Sequence, residues 1–323
     1  MHTNIKILNE FSRSISDIKL SIVVPVFNES ESVEIFVNSI TKLFQKSKVI
    51  LSEIIFVNDG STDDTLAILL GLKAEYPIIN IIDLSRNFGK EAAISAGLSL
   101  AEGNVVVPID VDLQDPPQVI FEMIERWGEG YDVVLGRRVN RDSDSWFKKK
   151  SAEYFYAIHN VIADIKIPSN VGDFRLLDQK VVRTLNGLPE SRRFMKGLFA
   201  WVGFKTACVD YVRVERVTGS SKFNGWRLWN FALEGVTSFS TSLLRFWTYL
   251  GVIVALGSFI FAVVILIKVL FYGIDVPGYA SIIVAVTFLG GLQLVGIGIL
   301  GEYLGRNYIE SKRRPIFIIQ DVY

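Results

Sequence analysis

Short apolar runs rich in β-branched residues alternate with longer amphipathic stretches over residues 20 to 135. The runs have the length and composition of buried strands, and the stretches between them have the period of helices. We predict five strands, at Leu20–Val26, Glu53–Val57, Ile78–Leu84, Val105–Ile109 and Asp132–Leu135. Strands that alternate with helices form a mostly parallel sheet wrapped by helices, so this part of the chain is predicted to be an α/β domain.

A polar cluster follows each of the first four predicted strands. The clusters are Pro25–Glu29, Asn58–Asp63, Ser85–Gly89 and Asp110–Gln114. Ligands of parallel sheets bind beyond the carboxyl ends of the strands, and those ends meet at one edge. Four clusters at the same edge predict one cleft, and they do so more strongly than any single cluster would.

The fourth cluster has the composition of a metal site. Asp110 and Asp112 lie two residues apart at a strand end, so their side chains share a face, and Gln114 follows where the chain leaves the strand. All-oxygen ligands of this kind suit Mg²⁺ or Mn²⁺. Ordinary turn residues are the alternative for an isolated pair of aspartates, but this pair lies at the predicted cleft.

The second half of the chain contains two long uncharged runs, Phe246–Ile267 and Val276–Gly301. Each exceeds the roughly 20 residues that a transmembrane helix needs. Basic residues lie on the outer flanks, and only Lys268 is near the connector. The positive-inside rule therefore predicts a hairpin with both termini in the cytoplasm. A buried helical hairpin in a large soluble protein is the alternative.

These patterns divide the chain into four predicted parts. They are a cytoplasmic α/β domain at residues 1–223 with an interface helix at about 145–163, a second amphipathic interface helix at 224–245, two transmembrane helices within 246–305 at about 246–270 and 278–304, and a cytoplasmic tail at 306–323. The amphipathic segments combine aromatic and basic residues, as membrane-surface helices do. Plain globular packing is their alternative.

Composition excludes several classes of protein. The 323 residues include 34 basic and 34 acidic ones, so charge gives no case for nucleic-acid binding. A single cysteine, Cys208, excludes an internal disulfide framework. The first twenty residues lack the apolar core of a signal peptide, so the α/β domain is expected to stay in the cytoplasm.

Five segments occur in a characteristic order: Ser21–Pro25, Asn58–Asp63, Asp110–Gln114, Gly172–Leu177 and Arg216–Lys222. This order resembles the family 2 inverting glycosyltransferases, whose GT-A fold is Rossmann-like. The resemblance covers nearly the whole chain. Within this family, the chain is most similar to the bactoprenol glucosyltransferases of O-antigen modification. It implies transfer of glucose from UDP-glucose to undecaprenyl phosphate at the cytoplasmic face of the bacterial inner membrane.

The resemblance also implies residues for the donor. The implied donor-binding residues are Pro25, Asn28, Glu29, Asp59, Asp110 and Asp112, and the implied ligands of Mg²⁺ or Mn²⁺ are Asp112, Gln114 and Asp110. A diphosphate leaving group next to carboxylates needs a divalent ion to offset the repulsion. For Asp59, a turn or helix-capping role is the alternative.

Asp173 matches the position of a candidate base, and with Asp110 it forms the implied catalytic pair. A lipid phosphate is largely ionised near neutral pH, because its second pKa is about 6, so it needs little help from a base. Two other roles remain open for Asp173: it orients the sugar, or it pairs with Arg175.

The acceptor is an anion, and guanidinium groups suit phosphate. The implied acceptor-phosphate residues are Arg138, Arg216, Ser220, Ser221 and Lys222.

Two alternatives remain for the function: a polyprenyl-phosphate transferase with another donor, such as GDP-mannose or a UDP-amino sugar, and a non-catalytic membrane scaffold. The glycine-rich second span makes a homo-oligomer plausible.

Overall fold

The computed structural model describes residue 13 and residues 17–139, 171–190, 193, 195–214, 242–272 and 278–323. The predicted interface helix at about 145–163 lies outside the described residues. So does nearly all of the second interface segment, 224–245, and so do the four predicted acceptor residues Arg216, Ser220, Ser221 and Lys222.

Eight strands form one mixed sheet in the described part of the chain. The strands are β1 (Lys19–Val26), β2 (Ile50–Asn58), β3 (Ile79–Leu84), β4 (Val105–Pro108), β5 (Val133–Arg138), β6 (Val171–Asp178), β7 (Thr206–Tyr211) and β8 (Ile319–Val322). Their order in space is β7-β5-β6-β4-β1-β2-β3-β8. The first four strands are parallel to one another. Strand β6 runs antiparallel between β4 and β5, and β8 runs antiparallel to β3.

Among the described residues, six short helices cover this sheet and two long helices follow. The helices are α1 (Val33–Phe44), α2 (Thr65–Glu75), α3 (Lys90–Leu100), α4 (Val119–Gly128), α5 (Gln179–Asn186), α6 (Met195–Trp201), α7 (Ser242–Tyr272) and α8 (Tyr279–Ser311). The alternation of strands and helices over the first 135 residues agrees with the sequence prediction. The predicted strands begin and end within about three residues of the observed ones, a normal uncertainty for strand ends.

Buried residues form a core on each face of the sheet. Along β1, Ile22 and Val24 belong to one core and Val23 belongs to the other, because side chains of a strand alternate between faces. A strand buried on both faces shows a continuous apolar run, which is why β1 was recognisable from sequence. The layers hold the carboxyl ends of β1, β2, β3 and β4 at one edge.

The carboxyl terminus joins the sheet. The prediction set residues 306–323 apart as a tail, but α8 continues to Ser311 and β8 then pairs antiparallel with β3. Tyr323 both donates to and accepts from the main chain of Ile81, at 2.9 and 3.0 Å. The end of α8 is therefore connected to the α/β domain by a short segment.

The long helices support only part of the membrane prediction. Within the described residues, one segment, Phe288–Ser311 of α8, is long and apolar enough to cross a membrane, with a mean hydropathy of 1.3. The apolar segment Tyr249–Phe261 of α7 is shorter than the roughly 20 residues that a span needs. A hairpin of two transmembrane helices is therefore not supported as a whole. The two helices do touch, because a Cβ built on Gly296 would lie 2.0 Å from Trp247 Nε1.

Candidate active site

The segment after β4 carries the two aspartates of the predicted metal site. Ile109 and Val111 are buried, whereas Asp110 and Asp112 are partly exposed. This alternation agrees with the shared face predicted for the two carboxylates. Leu113 then has a φ of 53°, a left-handed conformation that is rare for a bulky side chain and often occurs at functional sites. The turn brings the main-chain nitrogen of Gln114 to 3.3 Å from Asp112 Oδ1.

Gln114 and Asp112 fit a divalent cation. The Oε1 atom of Gln114 is buried and accepts no hydrogen bond from the described residues, although a buried acceptor normally has a partner. No group of three or more His, Cys, Asp or Glu side chains that could hold a metal occurs among the described residues. Mg²⁺ commonly binds one or two protein ligands together with substrate phosphates, so two ligands from the chain suffice for an ion bound with the donor.

Lys90 connects Asp110 to Asp173. Its Nζ atom lies 2.7 Å from Asp110 Oδ1 and 2.8 Å from Asp173 Oδ2. Burial opposes the charge on Lys90, but the two carboxylates outweigh it and raise the pKa of the ammonium above its usual value. The sequence patterns did not point to Lys90. The available signal was its position directly after the polar cluster Ser85–Gly89, at the predicted cleft edge.

One hypothesis for Asp173 is a buried pair with the Arg175 side chain. In the structure, Arg175 makes other contacts. Its guanidinium is buried, donates to the main-chain oxygens of Gly172 and Asp173, and lies 3.9 Å from the ring centre of Phe199. Burial lowers the pKa of Arg175 to about 10, although Asp173 and Glu91 oppose this shift. The Asp173 carboxylate pairs with Lys90 instead, so it faces the cleft.

Asp59 joins two loops of the cleft. It is buried, and its two carboxylate oxygens accept hydrogen bonds from the main-chain nitrogens of Phe88 and Gly89, at 2.7 and 2.9 Å. Burial raises the pKa of Asp59, and these two hydrogen bonds oppose the shift. The structure therefore gives Asp59 a loop-positioning role, and its contact with a nucleoside stays a prediction.

Hydrogen bonds also join the loop after β1 to the loop after β2. Asn28 Oδ1 accepts from the Thr62 main chain at 2.8 Å, and the Asn28 main chain donates to Ser61 Oγ at 3.0 Å. The main-chain nitrogen of Glu29 donates to Thr65 Oγ1 at 2.9 Å. Asn28 has a φ of 55°. These bonds hold two predicted donor residues, Asn28 and Glu29, in fixed positions.

Pro25 and Gly60 complete this side of the cleft. Pro25 lies near the end of β1, opposite Val57 of β2, and is partly buried. Gly60 has a φ of 66°, and a Cβ at this position would lie 2.5 Å from the carbonyl carbon of Arg86. The main chain at Gly60 therefore approaches that of Arg86 so closely that only glycine fits. We call the loops after β1 and β2 the donor loops.

A second cluster of charge surrounds Asp115. This buried carboxylate accepts a hydrogen bond from the Tyr211 hydroxyl at 2.6 Å, and it lies 3.6 Å from both Arg138 Nη2 and Arg213 Nε. Tyr211 also accepts a hydrogen bond from Arg138 Nε at 3.1 Å. Burial raises the pKa of Asp115, and the neighbouring Arg138, Tyr211 and Arg213 oppose this shift.

This cluster carries two cations for one anion, which suits an anionic ligand. Arg138 was predicted from sequence to contact the acceptor phosphate, whereas Arg213 was not identified. The cluster adjoins the candidate metal site, because the main-chain nitrogen of Val214 donates to the main-chain oxygen of Gln114 at 3.1 Å. The candidate metal site and the Asp115 cluster are therefore neighbours. The contribution of Arg216, Ser220, Ser221 and Lys222 stays a prediction.

Residues 21–185 match the family model described as Glycosyl transferase family 2. The matched region is just over half of the chain, and it runs from within β1 to within α5. The chain belongs to glycosyl transferase family 2. As a family 2 member it is a glycosyltransferase, and its mixed α/β sheet is GT-A-like, as the sequence predicted.

Similarity to curated relatives extends over nearly the whole family 2 chain. A bactoprenol glucosyl transferase of Shigella phage SfV is 52% identical over 303 residues, which cover 94% of this chain and 98% of that protein. A prophage bactoprenol glucosyl transferase homolog of Escherichia coli K12 is 50% identical, with coverage of 94% and 99%. An uncharacterized glycosyltransferase of Synechocystis is 49% identical, with coverage of 95% and 96%.

Solved structures show more distant likenesses to this family 2 protein. Glucosyl-3-phosphoglycerate synthase from Mycobacterium tuberculosis, in complex with Mn²⁺, UDP and glucosyl-3-phosphoglycerate, is 20% identical with a TM-score of 0.48, and the match covers 71% of this chain and 79% of that chain. A mannosyltransferase from Pyrobaculum calidifontis, in complex with GDP-Man and Mn²⁺, is 19% identical with a TM-score of 0.48 and coverage of 69% and 62%. These likenesses are too distant to assign a donor or a metal.

Proposed function

We propose that this glycosyltransferase transfers glucose from UDP-glucose to undecaprenyl phosphate, with inversion at the anomeric carbon. The product is a lipid-linked sugar for the modification of O-antigen or another cell-surface glycan. Bactoprenol glucosyl transferases are about as long as this chain and share half of its residues, which supports both the sugar and the lipid.

The observation that carries the proposal is that the two halves of the cleft adjoin. Asp112 and Gln114 are the oxygen ligands for an ion that accompanies a nucleoside diphosphate, and Arg138 and Arg213 lie in the cluster next to them. The hydrogen bond between Val214 and Gln114 joins these halves. A site with a cation-binding half and an anion-binding half suits transfer from a nucleotide sugar to a phosphate acceptor.

The chain's residues have distinct roles in this reaction. Asp112 and Gln114 hold Mg²⁺ or Mn²⁺, which when bound offsets the charge of the departing diphosphate. The arginines hold the lipid phosphate so that one of its oxyanions attacks the anomeric carbon. The bond from that carbon to phosphate oxygen forms as the bond to the diphosphate breaks. Asp110 and Asp173 orient the sugar, because an ionised phosphate needs no strong base.

For the membrane, we propose that both α7 and α8 cross it as a hairpin with the two termini in the cytoplasm. The uncharged runs Phe246–Ile267 and Val276–Gly301 support this proposal, as do exposed apolar side chains on both helices, such as Phe259 and Leu304. The α/β domain then lies at the cytoplasmic face of a bacterial inner membrane. Association of copies through the glycine-rich helix α8 is part of the same proposal.

The test is transfer from a panel of radiolabelled UDP- and GDP-sugars to undecaprenyl phosphate in detergent, with Mg²⁺, Mn²⁺ or EDTA. We expect lipid labelling from UDP-glucose that requires the metal. Asp112→Ala should reduce turnover at least about 100-fold, the usual loss for a group that stabilises developing charge. Glu122→Ala, which removes an exposed carboxylate of α4, should leave turnover unchanged.

Each arm has an opposing outcome. Labelling that persists with EDTA and in Asp112→Ala would contradict the metal assignment. Labelling from GDP-mannose or a UDP-amino sugar alone would replace the donor but keep the acceptor. If no donor labels the lipid, the proposed function is wrong, and a scaffold that retains the fold becomes the better interpretation.

A further inference from the structure

Lys90 is the residue through which three separate elements of the cleft meet. It is the first residue of α3, Asp110 follows β4, and Asp173 lies in β6. The Nζ atom is within 3 Å of both carboxylates. The side chains of Lys90, Asp110 and Asp173 are 43%, 29% and 21% exposed, so a ligand in the cleft can reach all three.

The backbone fixes where Lys90 lies. Gly89 precedes it with a φ of 98°, and the Asp59 carboxylate binds the main-chain nitrogens of Phe88 and Gly89. Helix α3 also packs very closely on the sheet, because a Cβ built on Gly97 would lie 2.2 Å from Val23 Cγ1. Lys90 therefore projects from a rigid base, as residues that position a reacting group must.

A lysine is a poor choice for this position on helical grounds alone. The amino end of a helix carries a partial positive charge, which favours anionic side chains and disfavours an ammonium. Lys90 is nevertheless placed there, against two carboxylates from other elements. This arrangement is explained if the ammonium serves the cleft rather than the helix.

The ion pair with Lys90 also gives Asp110 and Asp112 different surroundings. Both oxygens of Asp110 lie within 2.9 Å of Lys90 Nζ. The side-chain oxygen of Gln114, Oε1, in contrast, has no hydrogen-bond partner among the described residues, and the main-chain nitrogen of Gln114 directs a hydrogen bond to Asp112 Oδ1. Asp110 is thus bound to an ammonium, whereas Gln114 retains a buried acceptor for a cation.

We propose that Lys90 is a positioning residue that holds the carboxylates of Asp110 and Asp173 side by side towards the sugar and keeps Asp110 from the metal. The metal is then left to Asp112 and Gln114. This inference rests on the proposed function for its sugar. Its consequence for metal binding needs neither a sugar nor a lipid.

The test uses the full-length Lys90→Met variant in detergent with two measurements. The first is the affinity for Mn²⁺ alone, from electron paramagnetic resonance of free Mn²⁺ without nucleotide. We expect the variant to bind Mn²⁺ at least about five-fold more tightly, the smaller end of typical couplings between sites, because Asp110 becomes free to coordinate. The second is transfer from UDP-glucose, for which kcat should fall about 100-fold, since small misplacements of reacting groups have effects of this size.

Lys180→Met is the matched control. Lys180 also pairs with a carboxylate, Asp132, at 2.7 Å, but at the other end of the strands. We expect this control to keep wild-type Mn²⁺ affinity and kcat. Lys90→Arg keeps the positive charge, so it should restore wild-type Mn²⁺ affinity and part of kcat, and thermal melting of each variant reports whether it is folded.

Three results would overturn the inference. Unchanged Mn²⁺ affinity in Lys90→Met would refute the separation of Asp110 from the metal, and unchanged kcat would refute the positioning role. An arginine that behaves like methionine would also contradict it. If the wild type transfers no sugar at all, the proposed function fails, yet the Mn²⁺ measurement still decides whether Lys90 holds Asp110.

Discussion

Asp132 is a buried carboxylate that binds the side chain of Arg13. It lies just before β5 and makes ion pairs with Arg13 and with Lys180. Burial works against its charge, but Lys180 and Arg13 outweigh burial and hold the pKa of Asp132 below the usual 3.8. A carboxyl with a lowered pKa in the folded state stabilises the fold above its unfolded pKa. That stabilisation is lost as the pH falls through the folded pKa.

We therefore expect Asp132→Asn to lower the melting temperature at neutral pH, because Lys180 loses its buried carboxylate and Arg13 keeps only one of its two carboxylates, Asp178. The difference from wild type should be constant above about pH 5 and should shrink below about pH 4. Melting curves between pH 3 and pH 7 measure it. Asp210→Asn is the control, since Asp210 pairs with Arg137 at the exposed surface, where ion pairs contribute little. An Asp132 effect that does not change with pH would contradict this assignment.

Single residues of the site differ in how far sequence could identify them. Asp110, Asp112 and Gln114 were predicted because their spacing and their position after an apolar run are local properties. Lys90 and Arg213 were not identified, since their roles depend on contacts with carboxylates that are distant in the chain. For Asp59, sequence named the residue, but it could not show that a loop 29 positions later would cover the carboxylate.

At the scale of elements, the loop after β2 depends on a glycine that supports the donor loops. Gly60 has a left-handed φ and lies against the main chain of Arg86. We expect Gly60→Ala to destabilise the fold by more than about 1 kcal/mol, because both the backbone conformation and the space exclude a Cβ. It should also weaken donor binding, since the loop carries Ser61 and Thr62, which hold Asn28.

Gly71 of α2 provides a matched control in the same chain. A Cβ at Gly71 meets nothing within 4 Å, so Gly71→Ala should stabilise the helix by about 0.5 to 1 kcal/mol. Thermal melting and nucleotide titration compare the two variants. Equal effects of the two substitutions would show that the Gly60 contact is unimportant.

Physical reasons explain why some strands were not predicted from the sequence. Strands β1 to β5 were predicted because they are apolar on both faces or follow clear helical stretches. Strand β6 contains Asp173 and Arg175 among its apolar residues, which hides the pattern of a buried strand, and it lies antiparallel in a sheet expected to be mostly parallel. Strand β8 has four residues and is mostly exposed, so its position depends on pairing with β3 rather than on its own pattern.

At the scale of the whole molecule, β8 connects the long helix α8 to the α/β domain. Only seven residues, 312–318, lie between the end of α8 and the start of β8, and β8 covers the edge of the sheet at β3. An uncovered edge strand presents unpaired main-chain groups. Strand β8 therefore covers the β3 edge of the sheet, and it also limits the distance between the α/β domain and the candidate membrane helix.

Deletion of residues 319–323 should separate these two parts. Loss of the pairing with β3 removes several main-chain hydrogen bonds, so we expect a loss of about 2 to 4 kcal/mol and faster proteolysis between α8 and the α/β domain. Transfer to detergent-solubilised lipid should fall less than transfer to lipid in vesicles, because only the membrane surface requires the domain to be held close. Gln320→Ala, which changes an exposed side chain of β8 but keeps the strand, should behave as wild type. Equal losses in detergent and in vesicles would instead show that β8 serves the stability of the sheet alone.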